Sequence, residues 1–589
     1  MPPTLEHDFV VVGSGSSGCV LASRLARAGL KVLLVETGPA DSGSHPAAQL
    51  HGAWFTAAGH GAPISELYMT EPQQAMNRRS LFAWRGRGGG GSSVVNATVY
   101  MRGRREDYKR NWSWSLEDIE ASFKSVEADL ALETLEASGA LGRSLKNMLK
   151  QAGFLDAASS EGLWAEEGVQ RRLRCTVSAG GRRRTAWEAF VNPVRATTEA
   201  SHNLSVMDDA QVTRVVIEGG RAVGIEVRRG KQLQQLRLAR ENAEVVLCTG
   251  AFGSPKLLML SGVGPRGHLE EQGVPVKVDS PHVGGNLQDH LVLACVFRSR
   301  KRLDSSDLNS LGIHWMAHFD AEEGGGDGGG GGSNTVSGGD SGGSGSGGGS
   351  GGARMGILMC DCWDLPNRRA AMAILNPFTP GLFWAVVRAV FLPLFWLLSR
   401  LPPVRAVLRQ TVGVLLAGLA PKSRGTVRLR SGGDAAASPA VDPGFLSHPD
   451  DVEDLWRGWQ RVHGLFSTPE GEAFVGLELS PGTMFNHAKD RNSFASWARN
   501  LGVSYFHPVG TCRMGTRVQD SVVSEATLKV HGVRGLRVAD ASVAPQIPAA
   551  PTQAMAMMVG DFAARLIVRE RFAHDKDPAK VHANKQQTG

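Results

Sequence analysis

The sequence reads as an α/β protein, and three observations carry that expectation. An apolar run, Phe9–Val12, enters Gly13-Ser14-Gly15-Ser16-Ser17-Gly18 and continues into Val20, Leu21, Ala22, Leu25 and Ala28 at helical spacing. A second apolar run, Val32–Val35, follows Gly29 and ends in Glu36. A third, Glu244–Cys248, feeds another glycine-containing segment, Gly250-Ala251-Phe252-Gly253-Ser254-Pro255. Strand, glycine turn, helix, strand and acid in this order predict a Rossmann-like dinucleotide-binding unit.

Each residue of the opening turn has an expected task. Gly13 allows the tight turn, Gly15 lets backbone amides approach a pyrophosphate, and Gly18 lets the helix pack on the strand. Ser16 and Ser17 open the helix, whose unpaired N–H groups and partial positive charge suit phosphate. Glu36 ends the second strand where a ribose hydroxyl needs an acceptor. An acid here favours FAD or NAD over NADP.

At 589 residues the chain is long enough for two domains, and 42% hydrophobic against 21% charged residues suits a globular protein. The formal charge of +7 is spread over Arg102–Arg105, Arg171–Arg174, Arg182–Arg184 and Arg298–Arg302. No nucleic-acid motif accompanies these clusters, so they read as solvated surface and no nucleic-acid partner is expected. Seven cysteines without disulfide spacing suggest a reducing compartment, and the lone Cys360-x-Cys362 predicts no metal site. Strand one begins too early for a leader to precede it. The expected location is cytoplasmic, or an organelle with the leader missing from this chain.

Residues 40–80 look irregular. Then comes Arg85-Gly86-Arg87-Gly88-Gly89-Gly90-Gly91-Ser92-Ser93-Val94-Val95-Asn96-Ala97-Thr98-Val99-Tyr100-Met101-Arg102-Gly103. Four consecutive glycines permit close approach of backbone to a ligand. This segment resembles the first signature of the glucose-methanol-choline (GMC) oxidoreductases, FAD-dependent enzymes that include choline dehydrogenases; Gly89 replaces the family's usual aliphatic residue. The resemblance implies that Arg85, Gly90, Gly91, Ser92, Asn96 and Val99 lie along FAD, with Asn96 by the flavin. Val95, near where some members attach FAD through a histidine, implies noncovalent FAD.

Glu117–Leu130 and Gly142–Gly153 read as helices, and Arg182–Ala186, leading to Phe190 and Pro193, resembles a further family segment. Val206, Val212, Val215-Val216 and the alternating Val223, Ile225, Val227 suggest a meander of strands. By resemblance, the backbone of Val212 meets the adenine. Gly250–Gly264 matches the second family signature at every fixed position, and Pro281–His290 resembles a recurring family loop through Asn286, Leu287, Asp289 and His290. His290 reads as structural, or near the site entrance, rather than catalytic.

Residues 322–352 are almost entirely Gly, Ser, Asp and Asn and read as a disordered insertion. The stretch 381–401 is near bilayer length, but Arg388 and Pro393 interrupt it. A membrane-skimming helix pair or the wall of a hydrophobic substrate channel is expected, against the alternative of a buried core helix. Gly425–Leu429 then reads as a strand and Asp451–Phe466 as an amphipathic helix.

Phe506-His507-Pro508-Val509-Gly510 stands in the family's active-site motif, which implies His507 as catalytic base. Alcohol oxidation needs the O–H proton removed as the C–H hydride leaves, and imidazole suits that transfer. By the same resemblance, Asp540 and Ala541 contact the pyrophosphate and ribityl region. Members normally place His or Asn eleven residues past that Asp, where this sequence has Pro551; Thr552 and Gln553 follow it.

The expected organisation is a discontinuous FAD-binding domain (1–110, 201–295, 511–570) and an α+β substrate domain on an antiparallel sheet (296–510). Residues 111–200 form a substrate or cap segment and 571–589 a flexible tail. The expected activity is oxidation of an alcohol, hydrophobic if 381–401 lines the channel, with the electron acceptor open. Rivals are a photodecarboxylase-like or hydroxynitrile-lyase-like member of the same fold, and a flavin-binding protein of little catalytic activity.

Overall fold

The computed structural model describes residues 3–49, 63–134, 140–156, 164, 169–171, 174–178, 182–301, 313–321, 353–361, 401–402, 410–481 and 490–573. The 322–352 insertion, the 381–401 stretch apart from Leu401, and the tail beyond Ala573 lie outside the described residues.

The fold is α/β. Its first layer runs β1 (Phe9–Val12), α1 (Ser16–Arg27), β2 (Val32–Val35), β3 (Leu204–Met207), β4 (Glu244–Leu247), α2 (Gly250–Leu260), β5 (Leu536–Val538) and α3 (Gln553–Ala573). The five strands form one parallel sheet in the order β3-β2-β1-β4-β5, with Phe9 opposite both Val32 and Glu244. Every residue of β1 and β2 is buried, as continuous apolar runs in a sheet covered on both faces must be. Helix α1 ends because Ala28 leaves helical geometry and Gly29 turns at φ +84°, while Arg24 and Arg27 sit favourably in its last turn.

Strand β3 corrects one expectation. Val206 belongs to this parallel sheet, in register Leu204 to Val32 through Met207 to Val35, and not to the meander. A four-residue apolar run carries no signal that separates the two sheets. The meander itself is Gln211–Glu218, Arg221–Arg229 and Gln232–Leu238, antiparallel, with Thr4–Leu5 added parallel on its far edge.

A larger sheet forms the second layer. Its order is Val475–Ser480, Leu291–Ser299, Thr411–Gly418, Ala353–Asp361, Ile313–Ala321, Val169–Arg171 and Leu155–Asp156, antiparallel up to the last pair. Helix Pro449–Phe466 lies on it and buries Val452, Leu455, Trp459, Val462 and Leu465, one apolar stripe at helical spacing. Helices Leu116–Leu130, capped by Ser115, and Ala140–Gln151 stand where periodicity placed them.

Two further expectations change. Within 40–80, Ser65–Met69 is a strand paired antiparallel with Phe82–Gly86; its mixed Ser-Glu-Leu-Tyr-Met sequence hid it. The arginine clusters are not all solvated. Arg102 is 6% exposed and holds Glu127 through two hydrogen bonds, and Arg183 is 2% exposed. No helix among the described residues is long and apolar enough to cross a membrane.

Candidate active site

A cavity of about 730 Å³ opens at the carboxyl ends of β1, β2 and β4, between the parallel sheet and the large antiparallel sheet. Ligands of open α/β sheets bind at this end of the strands. Gly13, Gly15, Ser16, Ser17, Glu36, Arg85, Gly91, Ser92, Asn96, Val99, Val212, His507, Asp540 and Ala541 all line it. Gly18 and Gly90 do not. A Cβ on Gly18 would lie 2.0 Å from the Gly13 carbonyl oxygen, so Gly18 serves the packing of α1 on β1. Gly90 instead ties the glycine loop to the first turn, its N–H donating to the Ser14 carbonyl at 2.9 Å.

At the nucleotide end, Gly15 is the N-cap of α1, and no side chain caps the first amides of the helix. Those orphan donors face the cavity and suit an anion. Glu36 is 8% exposed, and its carboxylate accepts from Ser14 N and Oγ and from the amides of Gly38 and Gly88. It therefore braces the first turn and the glycine loop as well as lining the cavity. Asp540 accepts from Gly250 N at 2.8 Å, Ser254 Oγ at 2.5 Å and Ser542 N at 2.7 Å, which joins α2 to the segment after β5. Burial pushes its carboxyl pKa up.

At the other end, Asn96 is fixed from three sides. Its Oδ1 accepts from Arg183 at 2.7 Å and from Thr98 N at 3.1 Å, and its Nδ2 donates to Gln553 Oε1 at 2.5 Å. Gln553 opens α3 and lines the cavity, and its Nε2 is buried without a hydrogen-bond partner. A long helix start and an unused amide donor thus face the cavity beside Asn96. Pro551 and Thr552 line the same stretch of wall.

His507 is half-buried on a loop held by several anchors. Its amide donates to Asp289 Oδ1 at 2.7 Å, and Ser504 Oγ donates to Asp289 Oδ2 at 2.6 Å. The preceding Phe506 takes φ +64°, unusual for a bulky residue, with its amide on Ser504 Oγ and its carbonyl on the Arg85 guanidinium. The ring Nδ1 of His507 lies 3.0 Å from Nδ1 of His290. Burial first, then the His290 and Arg85 charges, hold the His507 pKa well below the ordinary imidazole value. Burial also raises the Asp289 carboxyl to about 6.

The cavity also has an apolar wall that no sequence motif marks. Val292, Ala294 and Leu415 line it from the antiparallel sheet, joined by Phe82, Trp84, Tyr505 and Phe506. The signal was present in the alternation of Leu291–Ser299: Leu291, Leu293, Cys295 and Phe297 enter the core, while Val292 and Ala294 face the cavity. Arg183 was read as surface because its partner, Asn96, is remote in sequence. Among the described residues no group of side chains could hold a metal ion.

The family described as GMC oxidoreductase matches residues 7–292 and 421–560. The chain is 31% identical over 588 residues to an oxygen-dependent choline dehydrogenase of Rhizobium etli, covering 95% of each chain. The chain belongs to the GMC oxidoreductases.

It is 29% identical to an alcohol dehydrogenase [acceptor] of Pseudomonas putida, covering 96% of each chain. Among solved structures, pyridoxine 4-oxidase from Mesorbium loti superposes with a TM-score of 0.74 at 24% identity, over 95% of this chain and 98% of that one. As a GMC oxidoreductase the protein is an FAD-dependent enzyme that acts on CH–OH donors. The cavity fits that cofactor: an uncapped helix start at one end, and the unused Gln553 donor at the other.

Proposed function

We propose that this GMC oxidoreductase oxidises a neutral, apolar alcohol, with His507 as base and FAD held noncovalently. The observation that carries the reading is His507 on the cavity surface against the wall of Val292, Ala294 and Leu415.

Gly13, Gly15, Ser16 and Ser17 would hold the pyrophosphate, Glu36 the ribose, and Val212 the adenine. Arg85, Gly91, Ser92, Asn96, Val99, Asp540 and Ala541 would line the rest of the cofactor, with Gly90 and Gly18 shaping its bed. Val95 lines the cavity and offers no nucleophile for a covalent link. Bound there, FAD supplies a two-electron acceptor that takes hydride at N5.

The chain's own residues bind the alcohol and manage its proton. A ring nitrogen of His507 accepts the hydroxyl proton as the carbinol C–H bond breaks, leaving a carbonyl product. With its pKa depressed, His507 is neutral, and ready to accept, at neutral pH. The half-buried Arg85 guanidinium, which donates to the Trp84 and Phe506 carbonyls, favours the partial negative charge that develops on oxygen. The apolar wall excludes water.

The same electrostatics select the substrate. Among the described lining residues the carboxylates are Glu36, Glu66 and Asp540. Glu36 and Asp540 are committed at the nucleotide end, and Glu66 is exposed on its hairpin. Glu66 stands opposite Arg85 across the hairpin, and Arg85, whose guanidinium holds the Phe506 carbonyl next to His507, would repel a cation. Aromatic and long-chain alcohols should therefore outcompete choline.

The test is anaerobic. The flavin spectrum of the purified protein is followed after addition of benzylic, long-chain and short alcohols and choline. Bleaching by apolar alcohols, lost in His507→Ala, is expected. Choline as the preferred reductant would overturn the substrate class, and a flavin left oxidised by every alcohol would overturn the function.

A further inference from the structure

His290 is fully buried and takes no part in lining the cavity, so it cannot touch a substrate there. It nevertheless meets His507 ring to ring, with Nδ1 to Nδ1 at 3.0 Å, centroids 5.2 Å apart and planes at 86°. Two imidazole nitrogens can share a hydrogen bond only if one carries the proton and the other does not. Two arrangements satisfy this. In one, His507 donates from Nδ1 and keeps a bare Nε2. In the other, His290 donates, and His507 must carry its proton on Nε2, where it cannot act as a base.

The backbone around the pair is built to hold it. Gln288 and Val509 exchange N–H···O bonds at 3.1 and 2.9 Å, and Tyr505 N donates to the His290 carbonyl at 2.9 Å. Asp289 takes the His507 amide. Three consecutive residues, Gln288, Asp289 and His290, thus clamp the loop Ser504–Val509. The charged or titratable groups facing His507 are His290, Arg85 and Asp289, with the Tyr505 ring 4.5 Å away. On the cavity side Pro551 offers neither a side-chain donor nor an N–H.

We propose that His290 is a positioning residue for the oxidation. Its bare Nδ1 accepts from His507 Nδ1–H, fixes the tautomer that leaves Nε2 as the base, and keeps that bond when His507 becomes imidazolium. The proposal rests on His507 being the base. It assigns to the loop Pro281–His290, behind the cavity, the orienting task that Pro551 cannot perform in front of it. The proton balance is simple: the substrate hydroxyl proton goes to His507 Nε2, while the Nδ1 proton stays between the two rings.

The experiment compares wild type, His290→Leu, His290→Gln and His507→Ala as holoproteins. It reads the anaerobic flavin-reduction rate with one apolar alcohol, KM, flavin content and the 15N-histidine spectrum. In His290→Leu the reduction rate should fall by about 10–100-fold, the scale seen when the orienting partners of metal-ligating histidines are removed. KM and flavin content should hold. His290→Gln, whose amide oxygen can accept from Nδ1–H, should restore most of the rate. The wild-type spectrum should show His507 protonated at Nδ1, and His290→Leu should show both tautomers. A wild-type rate and an unchanged tautomer in His290→Leu would overturn the proposal. So would a His507 protonated at Nε2 in the wild type, a result that stands even if His290→Leu fails to fold. If His507→Ala reduces its flavin normally, the base assignment itself has failed, which the His290 variants alone would not reveal.

Discussion

Phe506 is held at φ +64°, a conformation that costs a residue of its size about 1–3 kcal/mol. Arg85 and Ser504 hold its two peptide groups, and the consequence is that His507 is delivered to the cavity from a backbone with little freedom. The charge on His507 follows from the same surroundings. Burial first, and with it the Arg85 charge, disfavours the imidazolium, so the neutral base persists below the usual titration range. A pH profile of kcat/KM should therefore keep its plateau through pH 6.5 and fall only on more acid solutions; an acid limb centred at or above 6.5 would contradict this. The place of His507 on the cavity follows from a local motif. Its contact with His290 was not legible, since His290 lies far away in sequence and a histidine beside a strand start reads as structural.

At the scale of elements, the opening strand, turn, helix and strand were legible nearly to the residue, because each boundary is chemical: Gly13 ends β1, Gly29 ends α1, and Glu36 ends β2. Gly13 takes φ +99°, with the position of a Cβ 2.6 Å from the Cys248 carbonyl, so no other residue suits the turn. Gly18 can be tested directly. Gly18→Ala places a methyl 2.0 Å from the Gly13 carbonyl, and backbone must move to admit it. The expected cost is about 1–3 kcal/mol of stability together with weakened flavin retention, since the displaced turn is the one facing the cavity. Thermal unfolding and flavin content measure the two effects. Hairpin strand Ser65–Met69 and edge strand β3 escaped because their sequences do not alternate clearly or do not say which sheet they join.

For the whole molecule, the cavity is an assembly of distant segments, and a few buried ion pairs lock those segments together. Arg537, 2% exposed on β5, donates to Glu244 at 2.6 Å, Glu570 at 2.5 Å and the Thr527 carbonyl at 2.6 Å. It joins β4, β5 and α3 in a single network. Arg537→Met leaves Glu244 with its side chain 13% exposed and without this partner, and should cost about 3–5 kcal/mol. Denaturant unfolding checks the magnitude. Strands β1, β2 and β4 of the parallel sheet were legible from the apolar runs beside the glycine turns, whereas β5 joins β4 from nearly three hundred residues away. The antiparallel sheet's apolar wall was not, because a cavity-facing Val292 and a core-facing Leu293 differ in surroundings and not in residue class.

The strand order β3-β2-β1-β4-β5 also dictates a history. On a ribosome, β4 emerges long before the strand that completes its hydrogen bonding; at about 5–20 residues per second the wait from Leu247 to Leu536 is about 15–60 s. Throughout that interval β4 presents an open edge, a template for pairing with other nascent chains. The finished cavity, walled by residues from Val12 to Ala556, exists only once that wait is over. Flavin capture is thus a late event in the life of each chain, and yellow colour in an expression culture counts the molecules that survived the delay.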